Sequence, residues 1–378
     1  MTEAAEKMEE NRIPVNIITG FLGSGKTTLL NHWVNTPEFE DTLVLINEFG
    51  DVGLDHELVQ SVDDTVVLLG SGCICCSLQG NLVECLIQNL QKADLGQIPS
   101  FRRVLIETTG LADPAGVIAA LNMDEYVYNN FYYDGTVTVL DAKFVREQIK
   151  KQYEAVKQIA LADIILISKT DLVDNDELQA VYEIASQINP GTKIYPVLQG
   201  KISPEVLFQI GPYKNADHDY ESVVKNWLNI SKEPLASPFR PASVSGAVGV
   251  AKPRVIAHRD VDTFAFEYDE PIEPLALLAA ITGVQDQFGD AVLRIKGILN
   301  LKGQENPVII HGVMGSLYPL SKMSKWPENK RSSKLVFICR ATVLEQIRSM
   351  FEKQLVHPDK QTISYYQNML DEMDQNEE

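Results

Sequence analysis

The stretch Gly20-Phe-Leu-Gly-Ser-Gly-Lys-Thr-Thr28 decides the fold. It fits G-x-x-x-x-G-K-[ST], a loop whose backbone N–H groups wrap phosphate oxygens. Gly20, Gly23, Ser24 and Gly25 supply that backbone. Lys26 reaches the outer phosphates, Thr27 offers its hydroxyl to Mg²⁺, and Thr28 follows in the wrapping segment. The flanks agree with this reading. Residues 15–18, Val-Asn-Ile-Ile, read as an apolar, buried strand interrupted only by Asn16. Thr27-Thr-Leu-Leu-Asn-His-Trp33 reads as a helix start whose positive end faces the phosphates. A chance glycine-rich turn would not carry strand, loop and helix in this order.

From this loop outward, apolar runs alternate with helix-like stretches. Strands are expected at 15–18, 42–47, 65–69, 103–107, 136–141, 164–168 and 193–197. Most are continuously apolar and rich in Val, Ile and Leu, the pattern of parallel strands covered on both faces. Helices are expected at 81–93, 144–162 and 176–188. The fold class is therefore α/β, a parallel-sheet phosphate-loop domain over 13–211 behind a charged tail at 1–12. Residues 212–260 turn proline-rich and read as a linker, with one helix near 221–228. A smaller α+β domain follows over 261–345, with strands at 263–268, 292–299, 308–313 and 335–340 and a helix at 273–282. Residues 346–378 read as helical, then acidic.

Composition narrows the class. The chain has 378 residues and a net charge of −19, which disfavours nonspecific binding to nucleic acid or anionic membrane. No apolar run reaches the roughly 18 residues of a membrane span. The N-terminus lacks the apolar centre of a secretion signal, so a cytoplasmic location is expected. There the five cysteines should be reduced thiols or metal ligands.

Two further strand ends carry polar signatures. Glu107-Thr-Thr-Gly110 closes one strand. An acid there supports Mg²⁺, and the Gly110 N–H can meet a γ-phosphate. An ordinary strand end with a polar turn is the alternative. Ser168-Lys-Thr-Asp171 closes another. Asp171 can accept the paired donors of guanine, which adenine lacks. Lys169 completes the Lys–x–Asp pattern; Ser168 stands where guanine-binding loops usually begin with Asn, which weakens the support expected from that side chain. A capped turn before the acidic helix is the alternative here.

Gly72-Cys-Ile-Cys-Cys-Ser77 places three of the five cysteines within four residues after a predicted strand. Thiolates suit Zn²⁺, Cu⁺ or iron–sulfur chemistry. Cys73, Cys75 and Cys76 need further ligands; Glu48 after the neighbouring strand is one candidate and His56 a weaker one. Buried reduced thiols or a redox dithiol fit the spacing as well. Cys85, Cys339 and His311 read as structural, and His218 as a solvated loop residue.

Taken in order, the motifs at 20–28, 47–51, 72–76, 107–114 and 168–171 resemble the CobW-like proteins, in the phosphate-loop group with UreG, HypB and MeaB. Residues 294–297 and 333–340 resemble the CobW C-terminal domain. The resemblance implies a GTPase with GTP and Mg²⁺ as cofactors. It implies Zn²⁺, with Co²⁺ an option, held by Cys73, Cys75, Cys76 and Glu48 and passed to a client protein. The chain departs from the family in lacking a histidine-rich store and in having Cys339 where a glycine is common. Lys26 and Glu107 are the expected catalytic residues. No side chain stands out as a base for water, so slow turnover is expected until a client or self-association completes the site. A cobalt- or iron-centre assembly factor, and a nucleotide kinase or switch with structural cysteines, are the rival readings.

Overall fold

A computed structural model describes residues 12–47, 66–69, 78–207, 260–317, 320–323, 325–326, 331–358, 363–365 and 367. The chain divides into two compact units, Met1–Lys214 and Asn215–Glu378.

The first unit is built on a seven-stranded, all-parallel sheet in the order β3-β2-β4-β1-β5-β6-β7. The strands are β1 (Ile13–Thr19), β2 (Thr42–Asn47), β3 (Val66–Leu69), β4 (Arg103–Glu107), β5 (Phe131–Asp141), β6 (Ile164–Ser168) and β7 (Lys193–Pro196). Every residue of β4, β5 and β6 is buried, which is why their sequences are apolar without alternation. The helices are α1 (Lys26–Trp33), α2 (Leu78–Asp94), α3 (Pro114–Met123), α4 (Glu125–Asn130), α5 (Val145–Lys151), α6 (Tyr153–Leu161) and α7 (Asn175–Ile188). Leu29, Leu30 and Trp33 of α1 cover one sheet face, against Val44, Leu105 and Val139. On the other face Thr138 Oγ1 donates to the Gln158 carbonyl of α6 at 2.7 Å. Among the described residues no helix is long and apolar enough to cross a membrane.

Three expectations change. The strand expected from 136 begins at Phe131. The single helix expected over 144–162 is two, because Gln152 adopts an extended φ of −132° and ψ of 116° between α5 and α6. Helices α3 and α4 go unmarked in the sequence, although Asp113 and Asp124 cap them by accepting from Ala115 N and Val127 N. The helix expected near 221–228 lies outside the described residues.

The second unit holds an antiparallel sheet, β8 (Val261–Tyr268), β9 (Val292–Leu299), β10 (Val308–Val313), β11 (Ser316–Leu317), β12 (Ser321–Lys322) and β13 (Ser333–Arg340), in the order β11-β10-β9-β13-β8 with β12 also on β10. Helices α8 (Pro274–Phe288) and α9 (Leu344–Val356) pack on one face through Leu277, Ile281, Ile347 and Phe351. The helix expected at 273–282 thus runs on to Phe288, and the helix expected beyond 345 is α9, part of this core. Gly297 permits the close approach of β9 and β13: a Cβ there would stand 2.4 Å from the Lys334 carbonyl oxygen. Cys339 is fully buried in the core, and burial pushes its thiol up to about 12. His311 accepts from Arg294 on the opposite face at 2.9 Å, which fits a structural role.

The centre of the first sheet is tied by charge. Arg103 of β4 pairs with Asp134 of β5 at 3.3 Å and donates to Asn16 of β1. Asn16 in turn donates to Asp134 at 3.4 Å. These buried groups join the three strands that carry the phosphate loop and its neighbours. Removing one partner strands the other charge in the sheet. Asp134→Ala is therefore expected to lower unfolding free energy by about 3–5 kcal/mol, read from the denaturant midpoint at unchanged slope.

Candidate nucleotide and metal site

All seven strands of the first unit end on one edge, and the polar motifs lie there. The phosphate loop leaves β1 at Thr19 and enters α1 at Lys26. Gly20, Gly23 and Gly25 have φ of 141°, 71° and 97°, a region that favours glycine. A Cβ on Gly20 would stand 2.3 Å from the Val139 carbonyl oxygen, so the loop starts pressed against β5. Around Gly23 a Cβ would meet nothing within 4 Å, leaving that side of the loop open. Lys26 is buried and folds back over the loop, donating to the Gly20 and Phe21 carbonyls at 2.9 and 3.3 Å. The first turn of α1 has no acidic residue to offset its positive end. An ammonium group, glycine-rich backbone and a helix start meet at this loop, a combination that fits a phosphate chain.

Thr27 Oγ1 donates to Glu107 Oε1 at 3.1 Å. Glu107 is only 5% exposed at the end of β4. Hydroxyl and carboxylate oxygens side by side next to a phosphate cradle are the donor set Mg²⁺ takes, so these residues fit that ion. Beyond Glu107 the chain turns tightly against the loop. Thr108 N donates to the Ile18 carbonyl at 2.9 Å, and Thr108 Oγ1 to Thr19 Oγ1 at 2.9 Å. A Cβ on Gly110 would stand 2.5 Å from Leu22 N, so only glycine fits. Thr109 Oγ1 is buried and, among the described residues, has no hydrogen-bond partner.

At the other end of the loop, Lys169 and Asp171 line a cavity of about 210 Å³ together with Gly25, Thr28, Val139 and Gly200. Lys169 has φ of 56° and pairs with the buried Asp141 at 2.7 Å. Asp171 sits in a short turn at Thr170–Leu172. Ser168 does more than its residue type suggests. Its hydroxyl lies 2.6 Å from the Ser24 carbonyl and 3.1 Å from the Leu140 carbonyl, which tethers this turn to the phosphate loop. Asp141 and the turn at Gln199-Gly200 were not singled out from sequence. The only signal for the latter is a glycine after the last strand. Its φ is 72°, and a Cβ there would stand 2.9 Å from the Thr28 carbonyl oxygen.

The structure thus brings Gly20, Gly23, Ser24, Gly25, Lys26, Thr27, Thr28, Glu107, Gly110, Lys169 and Asp171 to one edge. Glu48, Cys73, Cys75, Cys76 and His56 lie outside the described residues, and so does His218. Among the described residues no group of three or more metal-ligating side chains occurs. Cys85 is half-buried on α2; burial raises its thiol pKa, and Asn89 donates to its sulfur at 3.3 Å.

Comparison with known proteins gives this geometry a family. Residues 14–196 match the CobW/HypB/UreG nucleotide-binding domain, and residues 261–355 match the cobalamin synthesis protein cobW C-terminal domain. The zinc chaperone YjiA of Escherichia coli is 31% identical over 345 residues, covering 90% of this chain and 98% of that protein. The zinc chaperone CobW of Pseudomonas aeruginosa is 28% identical over 377 residues, covering 89% and 91%. The crystal structure of Zn(II)-bound YjiA GTPase from E. coli aligns with a TM-score of 0.63 at 25% identity, over 91% of this chain and 99% of that one. A Zn(II)-bound triple mutant of YjiA, with a glutamate and two cysteines replaced by alanine, aligns at 0.66 and 26% identity over the same shares. The chain belongs to the CobW/HypB/UreG family, with its nucleotide-binding domain followed by the CobW C-terminal domain.

Proposed function

We propose that the protein is a zinc metallochaperone in which GTP binding and hydrolysis control a thiolate metal site. The chain is a GTPase of the CobW/HypB/UreG group. Zinc is its cargo, by likeness to relatives named zinc chaperones. Lys26 and the loop amides hold the phosphates, Thr27 and Glu107 hold Mg²⁺, the Gly110 N–H meets the γ-phosphate, and Lys169 and Asp171 select guanine. Cys73, Cys75, Cys76 and Glu48 take Zn²⁺ and release it to a zinc-dependent client in the cytoplasm, a reducing compartment where the thiols stay available.

One observation carries the coupling: the order in which the strands end. β2 and β3 finish in register, with Asn47 beside Leu69, and Glu48 and the cysteine stretch follow them in the chain. β4, which ends in Glu107, lies between β2 and the phosphate strand β1. With adjacent strands about 4.8 Å apart, β1 and β3 are separated by roughly 14 Å. Segments that contact a γ-phosphate are ordered by it and released on hydrolysis. Over so short a span such a change reaches the metal ligands.

Three measurements test this reading. The protein is expected to prefer GTP to ATP by at least about tenfold, or about 1.4 kcal/mol, and Asp171→Asn to erase most of that preference. Equal affinities in the unaltered protein remove the guanine assignment. Substituting serine for Cys73, Cys75 and Cys76 together should lose one equivalent of tightly bound Zn²⁺. That site should tighten as pH rises, because thiols must lose protons to coordinate; an undiminished stoichiometry locates the cargo elsewhere. A chelator competition with GDP and with a non-hydrolysable GTP analogue should give zinc affinities that differ by roughly 5–150-fold, tighter with the analogue. Identical affinities in the two states would separate the zinc site from the GTPase.

A further inference from the structure

Two consecutive side chains of α6 grip the turn that carries Gly110. Gln158 is 1% exposed, and its Nε2 donates to the Gly110 carbonyl at 3.3 Å and the Ala112 carbonyl at 3.2 Å. Both partners only accept, so the amide nitrogen is the end that faces them. Lys157 pairs with Asp113 Oδ2, while Asp113 Oδ1 accepts from Ala115 N at the start of α3.

The helix that supplies this grip is itself fixed. The Gln158 carbonyl accepts from Thr138 Oγ1 of β5 at 2.7 Å. Beyond it, Asn189 Nδ2 lies within 2.8–3.2 Å of the Ile159, Ala160 and Ala162 carbonyls at the end of α6. On its other side the turn abuts the phosphate loop, where Gly110 leaves no room for even a Cβ beside Leu22. The turn is thus held between a braced helix and the loop. The carbonyl that Gln158 holds lies on the same residue as the Gly110 N–H, one Cα away, so anchoring it limits where that N–H can sit.

We propose that Gln158 is a positioning residue for GTP hydrolysis, holding the Gly110–Ala112 turn against the phosphate loop by its two carbonyl bonds. This rests on the assignment of Gly110 to the γ-phosphate. Gln158 acts through the turn; its hydrogen bonds go to Gly110, Ala112 and Thr138, and not to the residues assigned to Mg²⁺ or the base. Misplacing a group at the reacting phosphate by about 1 Å costs on the order of 100-fold in rate. GDP reaches no γ-phosphate contact, so its binding is expected to be indifferent to the brace.

The test uses the full chain with Mg²⁺ and compares Gln158→Met, which keeps the shape without a donor, with Gln158→Glu. Single-turnover GTP hydrolysis, GDP affinity and the thermal midpoint are measured for each. The Met variant is expected to hydrolyse GTP roughly 10–100-fold more slowly, with GDP affinity within about twofold of the unaltered protein. The Glu variant should recover rate relative to the unaltered protein as pH falls from about 8 to 6, because a protonated carboxyl regains one donor; the Met variant should show no such recovery. A folded Met variant with the unaltered rate overturns the proposal. A parallel loss of GDP affinity and rate overturns it too, since it marks a merely structural role. Gly110→Ala separates the two assignments. If that variant hydrolyses GTP normally, the reading of Gly110 fails; if it is inactive while Gln158→Met is active, the brace alone fails.

Discussion

Backbone closing on backbone, with no room for a side chain, is the constraint on which the nucleotide edge depends. It recurs at three glycines around the phosphate loop. Gly20 is pressed on Val139 of β5, Gly110 on Leu22, and Gly200 on Thr28. Each contact brings a different strand end to the loop, and the Asn16–Arg103–Asp134 cluster locks the strands themselves deeper in the sheet. The result is a frame in which glycine-rich backbone, with the Lys26 side chain folded over it, forms the loop. Such a frame suits a ligand whose charge sits on phosphate oxygens, because little has to be ordered at the moment of binding.

Electrostatics make the frame necessary. The chain carries a net charge of −19, which opposes an approaching nucleotide and its phosphates. At physiological salt that repulsion is screened beyond about 8 Å, so capture rests on local groups. In the function proposed above, Lys26 and the α1 start are the groups that act on the phosphates directly. The same acidity that opposes the nucleotide favours cations, and Glu107 sits where both influences meet.

Much of this was legible in the sequence, for physical reasons that differ by element. The limits of β2, β4 and β6 coincide with runs that are mostly apolar because strands buried in a parallel sheet tolerate little else; those of β9 and β10 were legible too, although Arg294, Lys296 and His311 lie buried within them. Helix α3 was not legible: it is buried nearly all round and has no polar face to reveal a period. The break at Gln152 carries neither glycine nor proline, so nothing local announced it. At the site, spacing singled out Lys26, Thr27 and Glu107, whose proposed roles follow from a local motif. Asp141 and Gln158 escaped because their meaning lies in partners 28 and 48 residues away. Residue type alone makes Ser168 look like a weak point, whereas its hydroxyl bonds the Ser24 carbonyl of the phosphate loop, a partner 144 residues away.

The strand order also sets a timetable for synthesis. β1 is made early, yet its two sheet neighbours come late: Val15 pairs with Val104, and Ile17 with Thr136. A growing chain therefore exposes Cys73, Cys75 and Cys76 before the sheet that organises this edge can close. Thiols on an unfolded chain bind metal without any reference to nucleotide. Only after β5 has left the ribosome can the phosphate loop take its place between β4 and β5. Newborn molecules thus pass through an interval in which these thiols exist and the nucleotide edge does not, and the fold imposes its order only when that interval ends.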